Sequence, residues 1–208
     1  MEAMTLAQPP SATSVKAQDD TSRWKDSKFL IQQLAQARKF VEDCEGHAYQ
    51  EHMEHLVFEA SEFTPPLESV LEGAFCLWWE AMVGHSGDMG SKVNLACQRD
   101  VRCGERLYRL DFSVEPTHAF ADELSRAGIV WPPIAIEVDG HAFHEKTKEQ
   151  VAQRNQRDRD LQGAGWKVLH LSYSEVDRDG CKACGDVAQI VFEQFIEIRR
   201  KIHARGRS

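Results

Sequence analysis

The chain has 208 residues, 42% of them hydrophobic, with 25 basic and 33 acidic side chains and a formal net charge of −8. That length suits one domain with extensions and a sizeable core, and no apolar run is long enough to span a bilayer. The charge argues against a general basic nucleic-acid coat, though not against a local basic groove. Residues 1–20 show no signal peptide, so a cytoplasmic chain with its six cysteines reduced is expected.

Residues 1–20 are small, polar and contain Pro9-Pro10, which reads as a flexible tail. Thr21-Ser22 resembles a helix cap, and Phe29, Leu30, Leu34, Ala37, Phe40, Val41 and Cys44 keep helical spacing until about Gly46. A second helical stretch is expected over Ala48–Phe58. Its flanking and internal histidines, His47, His52 and His55, lack a metal-ligand pattern and read as a surface face. Residues 21–63 thus form an N-terminal helical extension with room for a protein partner, and residues 64–208 form the main domain.

Thr64-Pro65-Pro66 is a break and a helix start. The helix Leu67–Val83 that follows has a wide apolar face through Val70, Leu71, Ala74, Phe75, Trp78 and Met82, with Glu72 at its margin. Val93, Leu95 and Cys97 alternate with polar residues as a strand does. Arg102-Cys103-Gly104-Glu105 reads as a hairpin turn into a return strand Arg106–Val114. Strict alternation there puts Tyr108, Leu110, Phe112 and Val114 on the apolar face and Asp111 on the other. A carboxylate emerging from an apolar strand needs a partner, because an unpaired buried charge is costly.

Residues 115–133 read as a connection with about one helical turn. Ile134–Asp139 is then a strand ending in the turn Gly140–His144. Ile134, Ile136 and Val138 share one face; Ala135, Glu137 and Asp139 share the other. A long polar helix is expected over Glu145–Leu161, anchored only by Val151 and Leu161, and a charge-laced helix of this kind usually presents a solvated face. Gly163-Ala164-Gly165 ends it. Trp166–Leu171 is a short strand, Ser172–Gly180 a loop, and an amphipathic helix begins near Cys181 with a basic tail from Arg199 to Arg207. Hairpin strands followed by a strand–helix–strand unit predict an α/β fold, a central mixed sheet flanked by helices.

Asp111 comes from one strand, Glu137 and Asp139 from the next, and Glu72 from the preceding helix, yet all four can converge at one edge of such a sheet. Hard oxygen donors in that arrangement suit Mg2+ or Mn2+. Asp111 and Glu137 are the candidate metal ligands, with the backbone carbonyl of Val138 between the two side chains. A cation there polarises a phosphate and lowers the pKa of a bound water, the chemistry of phosphodiester hydrolysis.

Tyr108-Arg109-Leu110-Asp111-Phe112 followed by Ile136-Glu137-Val138-Asp139-Gly140 resembles the PD-(D/E)XK nuclease superfamily. The nearer likeness is to its branch of very-short-patch-repair-like endonucleases. It continues through Gly140–Gln150, Arg157-Asp158-Arg159, Gly165-Trp166, Val168-Leu169 and Ser174-Glu175-Val176, over about residues 68–195. The resemblance implies a restriction-endonuclease-like core and a magnesium-type nuclease site. In that reading Asp111 and Glu137 are the metal acids, Glu72 the helix acid, and His144 the branch's recurring histidine. Gln98 also fits the pattern. Asp139 takes the place of the superfamily's usual lysine, and Lys146, Lys148, Gln150 and His144 are the candidates to stand in for it. Arg154 stands where the branch often has an acid, and His170-Leu171 where it often has Arg-Phe. Gln98, Lys146, Lys148 and Arg157 are the candidate nucleic-acid contacts.

The expected activity is therefore a metal-dependent endonuclease, acting most readily on DNA. The competing reading is a non-catalytic nucleic-acid- or protein-binding module on a nuclease scaffold. A structural zinc protein built on Cys181 and Cys184 is a weaker third, because only Cys97 and Cys103 offer a second pair.

Overall fold

The computed structural model describes residues 27–45, 67–84, 87–140 and 147–206. The expected cap at Thr21-Ser22, the Ala48–Phe58 helix with its histidines, the Thr64-Pro65-Pro66 break, and His141, His144 and Lys146 lie outside them. The elements are α1 (Lys28–Glu45), α2 (Val70–Trp79), β1 (Val93–Cys103), β2 (Arg106–Pro116), α3 (His118–Arg126), β3 (Ile134–Asp139), α4 (Lys148–Gly163), β4 (Lys167–Ser172) and α5 (Tyr173–Arg205). One wide π-type turn, Glu80–Gly84, extends α2. No helix among the described residues is long and apolar enough to cross a membrane.

The fold is α/β. Its four strands lie in the order β1-β2-β3-β4, with β1, β2 and β3 antiparallel and β4 parallel to β3. The parallel step needs a crossover, and α4 supplies it. Phe112, Val114, Ile134 and Ile136 point from the sheet into the main core, where they meet Phe75 and Trp78 of α2, Phe120 of α3 and Phe195 of α5. On the opposite face Leu110, Ala135 and Leu161 of α4 form a smaller cluster.

The alternation expected of β3 holds: Ile134 and Ile136 enter the main core and Ala135 the smaller one. In the hairpin it breaks. Val93 and Phe112 face the main core, but Val101, Cys103 and Leu110, which share their parity, face the smaller cluster. Both strands turn over where Gln98 of β1 stands opposite Asp111 of β2, between the Cys97–Phe112 and Arg99–Leu110 pairs. Gln98 has φ 48°, a left-handed conformation in mid-strand that rotates the chain beyond it. Tyr108 and Leu110 therefore do not share a core with Phe112 and Val114.

Three helical expectations change. Residues 118–126 form a full helix, because Thr117 caps it and Phe120 and Leu124, one turn apart, are both buried. The expected loop Ser172–Gly180 is instead the N-cap and first turns of a helix: Ser172 and Glu175 close a capping box, and the helix that starts at Tyr173 bends at Asp179 (φ −159°, ψ 85°) before resuming. In α4 Val151 is exposed, leaving Leu161 as the buried anchor.

The first helix is built into the main core. Ala37 and Val41 are buried there. Gln33, fully buried, accepts a hydrogen bond from Trp78 Nε1 at 2.8 Å and donates to the Val176 carbonyl at 3.3 Å, tying α1 to α2 and α5. Two arginines near the end of α5 are engaged within the chain. Arg199 pairs with Glu123 and Asp88, and Arg205 donates to the carbonyls of Ala127 and Gly128 that close α3.

Candidate active site

The strands β2 and β3 pair through Phe112–Ile136 and then part. The backbone groups left over in this fork are taken by side chains, as buried polar groups require. Asp111 Oδ2 accepts the Val138 N–H at 2.7 Å. Arg157 of α4 reaches in from the other side, donating to the Arg109 carbonyl and to Glu137 Oε1, the latter at 2.6 Å. The N–H and C=O of one strand residue point to the same edge, so the Val138 carbonyl also faces the fork.

Glu137 lies on the sheet face that α4 covers and is only 5% exposed. Burial pushes its carboxyl up to about 8, against the pull of Arg157 and with help from the negative charges of Asp111, Asp158 and Asp139. Burial likewise raises Asp111. The Val138 N–H opposes that rise, Glu72 adds to it, Arg157 opposes it and Asp139 adds to it. The cluster thus holds more buried acid than one guanidinium neutralises.

Glu72 is buried at the start of α2. Its carboxylate accepts from the Ser69 hydroxyl at 2.8 Å, the Glu68 N–H at 3.0 Å and Gln98 Nε2 at 2.9 Å. Gln98 thereby joins the helix acid to the strand that faces Asp111. Asp139, at the end of β3, meets Arg154 at 3.1 Å and His170 Nδ1 at 3.3 Å, while His170 Nε2 meets Asp158 at 3.1 Å.

The structure therefore brings Asp111, Glu137, Asp139, Glu72, Gln98 and Arg157 to one place. Gln150 closes a capping box with Thr147 at the start of α4, and Lys148 is exposed in the same first turn. Arg154, Asp158 and His170 join the site although the sequence reading gave them no chemical role. The signal was present in α4: Arg154, Arg157, Asp158 and Leu161 stand at i, i+3, i+4 and i+7, one helical stripe. That stripe faces the sheet, so the charged face of α4 is its docking face rather than a solvated one. Arg154 and His170 both converge on Asp139.

Among the described residues no three His, Cys, Asp or Glu side chains stand ready as a metal cage. The donor chemistry nonetheless suits a hard cation: the buried Glu137 carboxylate, the half-buried Asp111 carboxylate and a carbonyl in one fork. Arg157 Nε and Asp158 Oδ1 are also buried without a hydrogen-bond partner among the described residues. In this structure the Arg157 guanidinium supplies the positive charge at Glu137. At the other cysteine pair, Cys184 is buried in the core and its thiol is pushed up by that burial, which disfavours the thiolate a zinc site needs.

No family model, curated protein or solved structure matches the chain.

Proposed function

We propose that this chain is a divalent-metal-dependent endonuclease with a restriction-endonuclease-like core, hydrolysing phosphodiester bonds with DNA as its first substrate. One observation carries the reading: half-buried Asp111 and buried Glu137 meet in a strand fork, both driven toward protonation, with the Val138 amide fixing Asp111 in place. Buried acids gathered in this way are typical of functional sites. The residues that would hold Mg2+ or Mn2+ are Asp111, Glu137 and the Val138 carbonyl. When bound, such a cation supplies polarisation of the scissile phosphate and activation of the attacking water.

The chain's own residues do the rest. Arg157, which donates to Glu137 and to the Arg109 carbonyl, would turn one of its N–H groups toward a phosphate oxygen if a cation shared the Glu137 carboxylate. Arg154 brings a cation to Asp139, where the resembling family carries its lysine, and is the candidate to stabilise charge developing on the phosphate. Gln98 and Glu72 hold the flank of Asp111. His170, held between Asp139 and Asp158, fixes the orientation of both.

A specific observation favours the second reading, a non-catalytic nucleic-acid- or protein-binding module: Arg157 already occupies the carboxylate that a metal needs. Incubation of the chain with supercoiled plasmid and Mg2+ or Mn2+ separates the two. The nuclease reading expects nicking that chelation stops and that Asp111→Asn or Glu137→Gln removes without loss of fold. Plasmid binding without metal-dependent nicking would favour the module.

A further inference from the structure

Beyond Gln98 the β1–β2 hairpin has two unlike faces. Val101, Cys103 and Leu110 are buried, and Tyr108 half-buried, in the small cluster with Leu161 of α4. Alternation puts Asp100, Arg102, Leu107 and Arg109 on the other face, and all four are exposed, Leu107 at 59%. They stand in cross-strand pairs, Arg102 opposite Leu107 and Asp100 opposite Arg109. Residues 99–109 carry four arginines against two acids, a net of +2 in a chain of −8. The hairpin is fixed from behind. Asp160 of α4 accepts from the Tyr108 hydroxyl at 2.5 Å and from Arg106 at 2.8 Å, and Arg157 donates to the Arg109 carbonyl.

We propose that this exposed face docks in the major groove of B-form duplex DNA through Arg102, Leu107 and Arg109. The inference rests on the nucleic-acid part of the nuclease reading, and adds to it the form of the substrate and the place where it is gripped. A net-positive ribbon on a net-negative chain draws a polyanion to this face rather than to another. Two strands about 4.8 Å apart make a ribbon that a major groove about 12 Å wide admits. The deep, narrow major groove of an RNA duplex does not admit it, and a single strand offers no groove. Leu107 is four residues from Asp111, about 13 Å along the strand. A groove held at the hairpin therefore leaves its adjoining backbone within reach of the fork.

The three side chains divide the work. Arg109 stands at the fork end of the ribbon. Its ion pair with Glu68, at 3.1 Å, is exposed on both sides and therefore weak, so a phosphate oxygen can take the place of the carboxylate. Arg102 and Leu107 adjoin the turn, the end that enters the groove. There a guanidinium donates to guanine O6 and N7, and an apolar side chain packs on the thymine methyl. Arg106 and Tyr108 point the other way and act only as positioning residues, through Asp160.

The test titrates the intact chain into labelled DNA duplexes of randomised sequence and follows fluorescence anisotropy, with EDTA present so that nothing is cleaved. An RNA duplex and a single DNA strand are titrated alongside. The native chain should bind the DNA duplex more tightly than either. The double variant Arg102→Ala with Leu107→Ala should bind it about tenfold more weakly, and Arg102→Gln, which keeps the side-chain length and loses the charge, should weaken it in the same direction. Arg109→Ala should lower the slope of log affinity against log salt by about one. Lys201→Ala, in the groove of α5 beside Lys167 of β4, should bind as the native chain does. Thermal melts of each variant confirm that the fold is kept. No binding to the DNA duplex overturns the proposal, as does equal or tighter binding to the RNA duplex or the single strand. So does native-like binding by the folded double variant. Nicking with Mn2+ is read in parallel. Duplex binding that depends on Arg102 and Leu107, in a chain that never nicks, counts against the nuclease reading alone. Nicking at low DNA concentration that the double variant leaves unchanged counts against the docking face alone.

Discussion

Glu137 carries the largest electrostatic load among the site acids, and its linkage to stability has a definite sign. Its carboxyl titrates near 4.5 when unfolded and is pushed up to about 8 in the fold. The folded state therefore favours the protonated acid. That contribution is complete below the unfolded value and is lost as pH rises through the folded one. Relative to Glu137→Gln, the native chain should lose stability between these two pH values, by at most about 1.4 kcal/mol per pH unit. Urea unfolding of the two proteins across that range checks it; parallel curves would mean that Arg157 keeps Glu137 ionised throughout. Gln98 makes a second residue-scale prediction. Its left-handed backbone costs about 1–3 kcal/mol for a residue with a side chain. Gln98→Gly and Gln98→Ala both lose the bond to Glu72, but only glycine relieves the backbone. Gly should be the more stable variant by about 1 kcal/mol, measured by denaturant midpoint.

Among the elements, the bend in α5 is where α1 and α2 are locked to it. A Cβ added at Gly180 would lie 2.1 Å from Gln33 Oε1 and 2.6 Å from Trp78 Nε1, the two partners of the buried hydrogen bond. Gly180→Ala should therefore destabilise by about 1–3 kcal/mol despite alanine's better helix propensity. At Gly163, in the last turn of α4, nothing lies within 4 Å of the added Cβ, so Gly163→Ala should be neutral or stabilising by up to about 1 kcal/mol. Thermal melts of both variants give the comparison. The same elements show what a sequence can and cannot disclose. The strand β3 was legible because Ile134, Ile136 and Val138 against Ala135, Glu137 and Asp139 is a period only a strand satisfies. The helix at 118–126 and the start of α5 were legible in principle, through Thr117 and through Ser172 with Glu175, but their apolar residues are too few to outweigh the surrounding polar ones. The turnover of the hairpin was not legible. Gln98 is neither Gly nor Asn, and nothing local marks it for positive φ; its conformation follows from its tie to Glu72, a long-range contact.

Across the whole molecule, the sheet sorts its two faces by chemistry. One face carries the aromatic core, Phe75, Trp78, Phe112, Phe120 and Phe195. The other carries a small apolar cluster and, beyond it, the charged stripe of α4 docked on Glu137, Asp139 and His170. Parity alone placed Asp111, Glu137 and Asp139 toward one edge. It could not reveal that Arg157 and Arg154 would already be paired with two of them, because partners on a crossover helix depend on how that helix lies on the sheet. On the proposed reading, the Arg157 guanidinium and a divalent cation would compete for the Glu137 carboxylate. The most direct test is calorimetric titration of Mn2+ into the native chain and into Asp111→Asn, at a pH above the Glu137 value of about 8. Saturable binding to the native chain that disappears in Asp111→Asn is the result predicted here. Absence of binding to the native chain, or equal binding to both proteins, would contradict it.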